Sequence, residues 1–309
     1  MEANLHLHSR FSDGSLWPER IAERAAASGL ALAALTDHDS LGGCDRFAAA
    51  ASSLGLGTVP ACEIDCVAPE IGYRSELLAY FPGGSFAATK ALLDGVLAAR
   101  RSRLERFVER ARTVFRRPEL SFGALAEGKL GPGMEALPGV SYNKVDLFSY
   151  LKREGAIEPS VGYREFGRAY FDSGLIADGR FPKPSVEEVC AAVRADGGMV
   201  VLPHPGHQFG DDPDRVARSR ARLHGLLAWF RDRGVAGVEL YWYGDARRSE
   251  AINGIVAALA AELSLFVTFG SDCHGPGSEK ETLGRFSGDF AGFPGFAPAS
   301  QEGPWPTAS

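Results

Sequence analysis

Seven short apolar runs, each about the length of a β-strand, alternate with helical patterns along most of this 309-residue chain. Such alternation is typical of repeated βα units, which build a parallel sheet or a barrel. Between the first two runs, a helix is predicted with Pro18 in its first turn and Gly29 as its stop. Further on, SVEEVCAAVRADGG predicts a helix that Ser185 and Glu188 begin as a capping box. The predicted strands cover residues 4–8, 31–36, 57–64, 76–81, 199–203, 235–241 and 265–270.

The alternation is interrupted after the fourth run. A long helix is predicted at 90–115, and its stretch AARRSRLERFVERARTVFRR holds eight arginines against two glutamates. This charge fits a solvated helix face, and it also fits phosphate binding by individual arginines. We therefore expect a main domain at 1–86 and 185–286, an inserted helical domain at 87–184, and an irregular Gly- and Pro-rich tail at 287–309.

Composition excludes several classes of protein. A net charge of −6 and an isoelectric point near 5.7 argue against broad attraction to nucleic acid, so no stable nucleic-acid complex is expected. No apolar stretch approaches the roughly 18 residues of a membrane span, and the first residues do not form a basic and then apolar leader, so we expect a cytoplasmic protein. The five cysteines are an odd, scattered set, which predicts reduced thiols; Cys62 and Cys66 are interpreted as buried thiols.

Histidines and carboxylates collect where the predicted strands end. The carboxyl ends of the strands in a βα barrel meet on one face, where such folds place their chemistry. We therefore expect eight side chains in one cleft: His6, His8, Asp13, His38, Glu63, His204, Asp272 and His274.

The first strand shows why these residue types fit a metal site. His6 and His8 alternate with leucines, so both imidazoles lie on one face of the strand and can chelate one ion. Mixed imidazole and carboxylate ligands suit Zn, Mn or Fe, and a carboxylate such as Glu63 can bridge two ions. Without metal, carboxylates crowded together would repel one another.

Other polar residues nearby are given different roles. We predict that Asp37 and Asp39 orient His38 or cap the helix that follows, without binding metal themselves. His207 lies in a loop and is predicted at the surface or the rim of the site. His224 lies within an amphipathic helical pattern and is predicted to be structural.

Five segments together resemble the PHP family, which is named for polymerase and histidinol phosphatase domains. They are HLHSRFSDGS, LTDHDS, ACEID, LPHPG and GSDCHG, in this order and spread over about residues 4–285. The flanking sequence is most similar to the branch of stand-alone phosphoesterases that act on nucleotides. The resemblance implies an α/β fold, a distorted (β/α)7 TIM-like barrel with a small, mostly helical inserted domain, and two or three divalent metal ions (Mn, Fe or Zn).

The resemblance also implies a ligand set. It assigns His6, His8, Glu63 and Asp272 to one ion, Glu63 and His204 to a second, and Asp13, His38 and His274 to a third. One position departs from the family: relatives usually have a histidine in a segment like HLLGY, whereas this chain reads ELLAY and has Glu76 there. A carboxylate can still bind metal, with a weaker or different second ion as the consequence.

Catalysis and substrate binding are expected to follow the family. A hydroxide bridging two cations would attack phosphorus in line, and the predicted catalytic residues are His38, His274 and Asp272, with either histidine as proton donor. Relatives tend to have an Arg-Pro-His element in the insertion, for which Asn143 and Lys144 of SYNKVDLF stand in here. The predicted substrate-binding residues are Arg100, Arg103, Asn143, Lys144, Arg180 and Lys183.

Three functions stay open at this level. The first is a phosphoesterase that acts on a small nucleotide, such as a 3′,5′-bisphosphonucleoside, or on a short oligonucleotide. The second is a phosphatase of a non-nucleotide phosphomonoester of the histidinol phosphate type. The third is a binding or regulatory module with a degenerate metal site, as the change at Glu76 suggests, although the other ligand positions are all present. An amidohydrolase acting on C–N bonds fits the segments TDHD and SDCHG poorly.

Overall fold

The structure is a computed structural model that describes residues 1–134, 136–177 and 181–296. Its contacts divide the chain into two units, one of Met1–Leu92 with Lys183–Ser309 and one of Leu93–Pro182. The predicted substrate residue Arg180 and the part of the predicted tail at 297–309 lie outside the described residues. The fold is mixed α/β, with all described strands in the first unit.

The strands of the first unit form two sheets. One has the order β3-β2-β1-β9, and the other has the order β4-β5-β6-β7-β8. The strands are β1 (Glu2–Leu7), β2 (Leu32–Leu35), β3 (Gly57–Thr58), β4 (Ala61–Asp65), β5 (Glu76–Tyr80), β6 (Met199–Leu202), β7 (Val235–Tyr241), β8 (Phe266–Gly270) and β9 (Gly288–Asp289). The run predicted as one strand at 57–64 is divided in two, because Pro60 has no N–H to donate to a neighbouring strand.

Strand direction differs from the wholly parallel pattern that the sequence predicts. β1 is parallel to β2, and β6, β7 and β8 are parallel to one another, but β5 is antiparallel to both β4 and β6. Only residues 66–75 separate β4 from β5, and they contain one short 3-10 turn at Pro69–Ile71. A parallel connection needs a crossover of about a dozen residues or more, so this short link reverses the chain.

Helices of the first unit begin and end where the sequence predicts. The helix after β1 has Pro18 as its first residue. The capping box at Ser185 is confirmed: Ser185 Oγ accepts from Glu188 N at 3.1 Å, and Glu188 Oε2 accepts from Ser185 N at 2.7 Å. The helices wholly in this unit are α1 (Pro18–Ala27), α2 (Cys44–Ser53), α7 (Val186–Ala195), α8 (Pro213–Arg218), α9 (Arg220–Arg231) and α10 (Ala246–Leu263).

The core of the first unit encloses β1. Leu7 belongs to an apolar cluster with Leu35 and Phe47, and Leu5 belongs to a second cluster with Tyr80. Since every residue of β1 from Ala3 to Leu7 is buried, His6 is held rigidly between the two clusters.

The second unit is mainly helical. Its elements are α3 (Ala87–Val114, which begins in the first unit), α4 (Phe122–Leu130), α5 (Lys144–Arg153), α6 (Tyr163–Phe166) and a π-helical turn at Gly167–Asp172. The long arginine-rich helix predicted at 90–115 is therefore present as α3. Among the described residues, no helix combines the length and the apolar character that crossing a bilayer requires.

Candidate metal centre

The end of β1 directs two imidazoles at the same pair of carboxylates. His6 Nε2 lies 3.2 Å from Glu63 Oε2 and 3.6 Å from Asp272 Oδ1. His8 Nε2 lies 3.3 Å from the same glutamate oxygen and 3.1 Å from the same aspartate oxygen. Two residues apart on a strand, the histidines share a face, as the sequence predicts.

The segment after β8 supplies Asp272 and His274. Asp272 has a φ of 53°, a left-handed backbone conformation that is uncommon outside glycine. His274 Nδ1 donates to the carbonyl oxygen of Asp272 at 2.9 Å, which leaves Nε2 as the ligand atom, 3.2 Å from Asp13 Oδ1. One backbone carbonyl therefore sets the tautomer of a predicted ligand.

Asp13 and His38 complete the side of the cluster nearest to solvent. His38 Nε2 lies 3.6 Å from Asp13 Oδ2, and His38 Nδ1 lies 3.3 Å from Glu63 Oε2. The His38 side chain is 20% exposed, whereas those of His6 and His8 are fully buried. Asp13 and Glu63 therefore join residues from β1, β2 and β4.

His204 and Glu76 reach the other side of Glu63. His204 Nε2 lies 3.2 Å from Glu63 Oε1. Because β5 runs antiparallel to β4, its first residue, Glu76, pairs with Asp65 at the end of β4. The reversed strand thus brings the beginning of β5 to the edge where the parallel strands end, which explains why a residue at a strand's start joins this site.

These residues form three groups in which one ligand atom from each member lies within 4.8 Å of the others. Two of the groups are rich in imidazole. The first consists of His8, Asp13, His38 and His274, and the second consists of His6, His8 and Glu63. The carboxylate-rich group is Glu63, Glu76 and His204. Of the nine predicted ligands, eight thus belong to a group, and Asp272 contacts both histidines of β1.

The chemistry of this cluster fits divalent cations. Among the described residues, five of its buried atoms have no hydrogen-bond partner: His6 Nε2, His8 Nε2, Asp13 Oδ1, His38 Nδ1 and Asp272 Oδ1. Buried polar atoms are normally hydrogen-bonded, because an unsatisfied one costs roughly 1–3 kcal/mol. Clustered imidazole nitrogens and carboxylate oxygens are the donors that a metal ion requires.

The electrostatics of the metal-free cluster match this interpretation. Burial lowers the pKa of His8, but Asp272 and Glu63 outweigh it and raise that pKa to about 10. Burial raises the pKa of Asp13, but His274 and His38 outweigh it and hold that pKa well below its usual range. A proton on His8 occupies a position that a cation would take, so metal binding would release it.

Three residues that the sequence analysis missed support the cluster from β7 and the loop after β8. Glu239 Oε1 lies 2.8 Å from His6 Nδ1, and Glu239 Oε2 accepts from His204 N at 3.0 Å. Tyr241 donates its hydroxyl to Asp272 Oδ2 at 2.9 Å, and Lys280 forms an ion pair with the same oxygen. The sequence did contain a signal for two of them: Glu239 and Tyr241 lie two residues apart in an otherwise apolar strand, so their side chains share one face.

Asp37 and Asp39 do not cap the helix that follows, which was one of their two predicted roles. The Asp37 carboxylate accepts three hydrogen bonds from the loop after β1, at 2.6–2.7 Å. Asp39 Oδ1 accepts from Asp65 N at 2.9 Å, and the N-cap of α2 is Gly43. Both aspartates therefore join loops and strands to each other, which local spacing could not reveal.

The remaining predicted residues of the first unit are placed as follows. The ring of His207 stacks on that of His204 with centroids 4.4 Å apart, and its side chain is 34% exposed, a position at the rim. His224 is half-buried on α9. Lys183 pairs with Asp65, Nζ to Oδ2, at 3.1 Å. All five cysteines are free and buried.

Four predicted substrate residues lie in the second unit. Asn143 is the N-cap of α5, where its side-chain oxygen accepts from Val145 N at 2.8 Å, and the Lys144 ammonium lies 4.6 Å from the centroid of the Phe171 ring. Burial and the charge of Arg103 lower the pKa of Lys144.

The second unit contains a cavity of about 310 Å³ beside Lys144. It is lined by Lys144, Tyr163, Arg164, Gly167, Arg168, Phe171 and Asp172. Arg100, also in this unit, lies with its guanidinium 5.1 Å from the Phe181 ring centroid.

Residues 4–113 match the model of the PHP domain. The matched residues contain most of β1 and all of β2, β4 and β5, and they include six of the nine predicted ligands.

Similar proteins cover nearly the whole chain. A 3′,5′-nucleoside bisphosphate phosphatase of Chromobacterium violaceum is 28% identical over 91% of this chain and 90% of its own length. A phosphoribosyl 1,2-cyclic phosphate 1,2-diphosphodiesterase of Eggerthella lenta is 28% identical over 89% of this chain and 95% of its own. The crystal structure of a Bifidobacterium adolescentis protein assigned as a metal-dependent phosphoesterase superposes with a TM-score of 0.66 at 27% identity, covering 90% of this chain and 89% of that one.

Proposed function

We propose that this chain is a metal-dependent phosphoesterase of the PHP type that hydrolyses a phosphate ester of a small nucleotide, such as a 3′,5′-bisphosphonucleoside. One observation carries the proposal: five buried imidazole and carboxylate atoms of this cluster have no hydrogen-bond partner among the described residues. The relatives named as a bisphosphate phosphatase and a cyclic phosphate diphosphodiesterase support phosphate-ester hydrolysis.

The residues that would hold the cations are the predicted ligands. The three groups are joined by shared members, since His8 belongs to both imidazole-rich groups and Glu63 to two of the three. Divalent cations bound there would neutralise phosphate oxygens and lower the pKa of water toward neutrality, which is the chemistry that phosphate-ester hydrolysis needs. We propose Mn, Fe or Zn for these ions, because the donors are mixed imidazoles and carboxylates.

The neighbouring residues keep the ligand atoms in position before substrate arrives. Glu239 holds His6 through Nδ1, and the carbonyl of Asp272 holds His274 through Nδ1, so both rings present Nε2. Tyr241 and Lys280 engage Oδ2 of Asp272, which leaves Oδ1 toward the two histidines of β1. Such preorganisation matters because the cluster then needs little rearrangement during reaction.

Binding of the substrate remains a proposal that extends the predictions for single residues. Lys183, Arg100, Arg103, Asn143 and Lys144 are proposed to bind substrate, because cationic and amide side chains hydrogen-bond to phosphate oxygens. His38, His274 and Asp272 are proposed to act in catalysis.

We also propose that the two sheets are the parts of one distorted (β/α)7 barrel. Two isolated parallel bridges support this: Leu7 pairs with Cys273, beyond β8, and His38 pairs with Glu63 of β4. His8 N donates to Cys273 O at 2.9 Å, and Asp39 N donates to Glu63 O at 2.7 Å. Both bridges lie at the metal centre, where backbone links would fix the distances between ligands.

The test measures phosphate release from adenosine 3′,5′-bisphosphate with added Mn²⁺, together with metal analysis of the purified protein. The wild type should bind divalent metal and release phosphate. His8→Ala should lose both, and His224→Ala, a matched change at the half-buried histidine of α9, should retain both.

A substrate panel separates the alternatives. Histidinol phosphate tests the non-nucleotide phosphatase, and short oligonucleotides test trimming of a chain. Preference for histidinol phosphate would replace the nucleotide proposal. Absence of both bound metal and phosphate release with every substrate would leave a binding module with a degenerate site.

A further inference from the structure

The two kinds of ligand group differ in charge and in donor type. With neutral imidazoles, the group of His8, Asp13, His38 and His274 carries one negative charge, and the carboxylate-rich group carries two. The His6, His8 and Glu63 group has Asp272 as a second carboxylate beside it, but the ion pair of Asp272 with Lys280 offsets that charge. Imidazole is a good ligand for Zn and Fe, and carboxylate suits Mn, Mg and Ca. The chain therefore offers a harder and more anionic set of donors at one end of the cluster than at the other.

Glu76 causes this difference, and its position is fixed. The Ser75 hydroxyl donates to Glu76 Oε2, and the Tyr73 hydroxyl donates to the backbone carbonyl of Glu76 at 2.6 Å. Its cross-strand partner, Asp65, is paired with Lys183. Within the described residues, Glu76 has no ion-pair partner of its own, so its charge is available to a cation.

We infer that the group Glu63, Glu76 and His204 favours Mn²⁺ and that the imidazole-rich groups favour Zn²⁺ or Fe²⁺, so that the centre holds two different metals. This inference rests on the proposed function, since it concerns the same metal centre. Mn²⁺ fits better than Mg²⁺ because the group retains the imidazole of His204, whereas Mg²⁺ prefers oxygen ligands and water.

Selective loading tests the inference without any measurement of activity. Metal-free protein receives two equivalents of Zn²⁺, one for each imidazole-rich group, and is then titrated with Mn²⁺ while the EPR signal of free Mn²⁺ is followed. Wild type should bind Mn²⁺ beside the retained zinc. Further Zn²⁺ should displace this Mn²⁺ only at an excess, which accounts for the generally stronger binding of zinc.

The decisive variant is Glu76→His, which gives the third group two imidazoles. Its affinity for Mn²⁺ should fall at least about tenfold, and a third equivalent of Zn²⁺ should bind in place of Mn²⁺. Glu76→Gln, which preserves the size of the side chain, should lose Mn²⁺ and keep both zinc ions. The matched control is Glu70→His, an exposed glutamate in the turn before β5.

The outcomes separate this inference from the proposed function. If Glu76→His binds Mn²⁺ and Zn²⁺ as the wild type does, the selectivity of this group is refuted. If a single further equivalent of Zn²⁺ displaces the Mn²⁺ of the wild type and the protein still releases phosphate, the inference is wrong and the phosphoesterase stands. If the wild type binds no metal and releases no phosphate, both fail.

Discussion

Two sets of buried carboxylates in the first unit use the same chemical group for opposite purposes. Asp37 is only 1% exposed, and its carboxylate accepts three hydrogen bonds from Ser9 and Ser12. Asp272, 2% exposed, leaves Oδ1 without a hydrogen-bond partner among the described residues. Burial alone therefore does not distinguish a structural acid from a metal ligand; the state of its acceptor atoms does.

The difference follows from what surrounds each acid. Asp37 is surrounded by hydroxyl and amide donors, which satisfy its charge within the protein. Asp272, Glu63 and Asp13 are surrounded by imidazoles from separate strands, whose ligand nitrogens are 3.1–3.6 Å from the carboxylate oxygens. The first set should control folding and the second set metal binding, and the predictions below test this separation.

The largest effect is expected from the acid that two groups share. Glu63→Gln removes charge at the junction of the carboxylate-rich group and the His6–His8 pair. Phosphate release should fall by more than about 100-fold, since changes around a metal site already cost 10–100-fold when only a supporting residue is lost. Release assays with metal analysis check this, and activity near that of wild type with a full metal content would contradict it.

The matching change in the structural set is Asp37→Ala. It leaves the donors of Ser9 and Ser12 without their acceptor, so the free energy of unfolding should fall by about 3 kcal/mol. Urea unfolding of the metal-free protein measures this loss. The folded variant should keep the wild-type metal content; a loss of metal without a loss of stability would reverse the assignment of the two sets.

A smaller effect is expected for a residue that supports a ligand. Glu239→Gln weakens the hold on His6 Nδ1 and on His204 N but leaves all nine predicted ligands in place. Metal affinity should fall by roughly 10–100-fold, with activity recovered at high metal concentration. Titration with chelator-buffered metal measures the shift, and unchanged affinity would limit Glu239 to a structural role.

The smallest effect is a pH dependence that reverses when metal binds. In metal-free protein, the pKa of His8 is raised to about 10, so its stabilising contribution is complete below about pH 6.5 and is lost as the pH rises through 10. Metal binding requires the neutral imidazole, so metal should stabilise the protein more as the pH rises. Melting temperatures at pH 6 and pH 9, with metal and with chelator, should show opposite trends. Parallel trends would contradict the prediction.

Sequence reasoning predicted the elements that rest on local patterns. The boundaries of α1, the capping box of α7 and the arginine-rich α3 follow from proline, capping residues and helical periodicity, which act within a few residues. The direction of β5 was missed, because it depends on the length and path of the link after β4 rather than on the composition of the strand.

The sequence by itself determined which residue types end the strands and which of them share a face. The spacing of His6 and His8 is enough to place two imidazoles together, because side chains two apart on a strand point the same way. Only the tertiary structure decided which atoms face the common centre. Glu239 lies 233 residues from His6, and Glu76 is brought beside Glu63 by a reversed strand. The periodicity of the sequence determines which side chains share a face of a strand or helix. The distances between side chains of different elements are determined by the packing of the whole first unit.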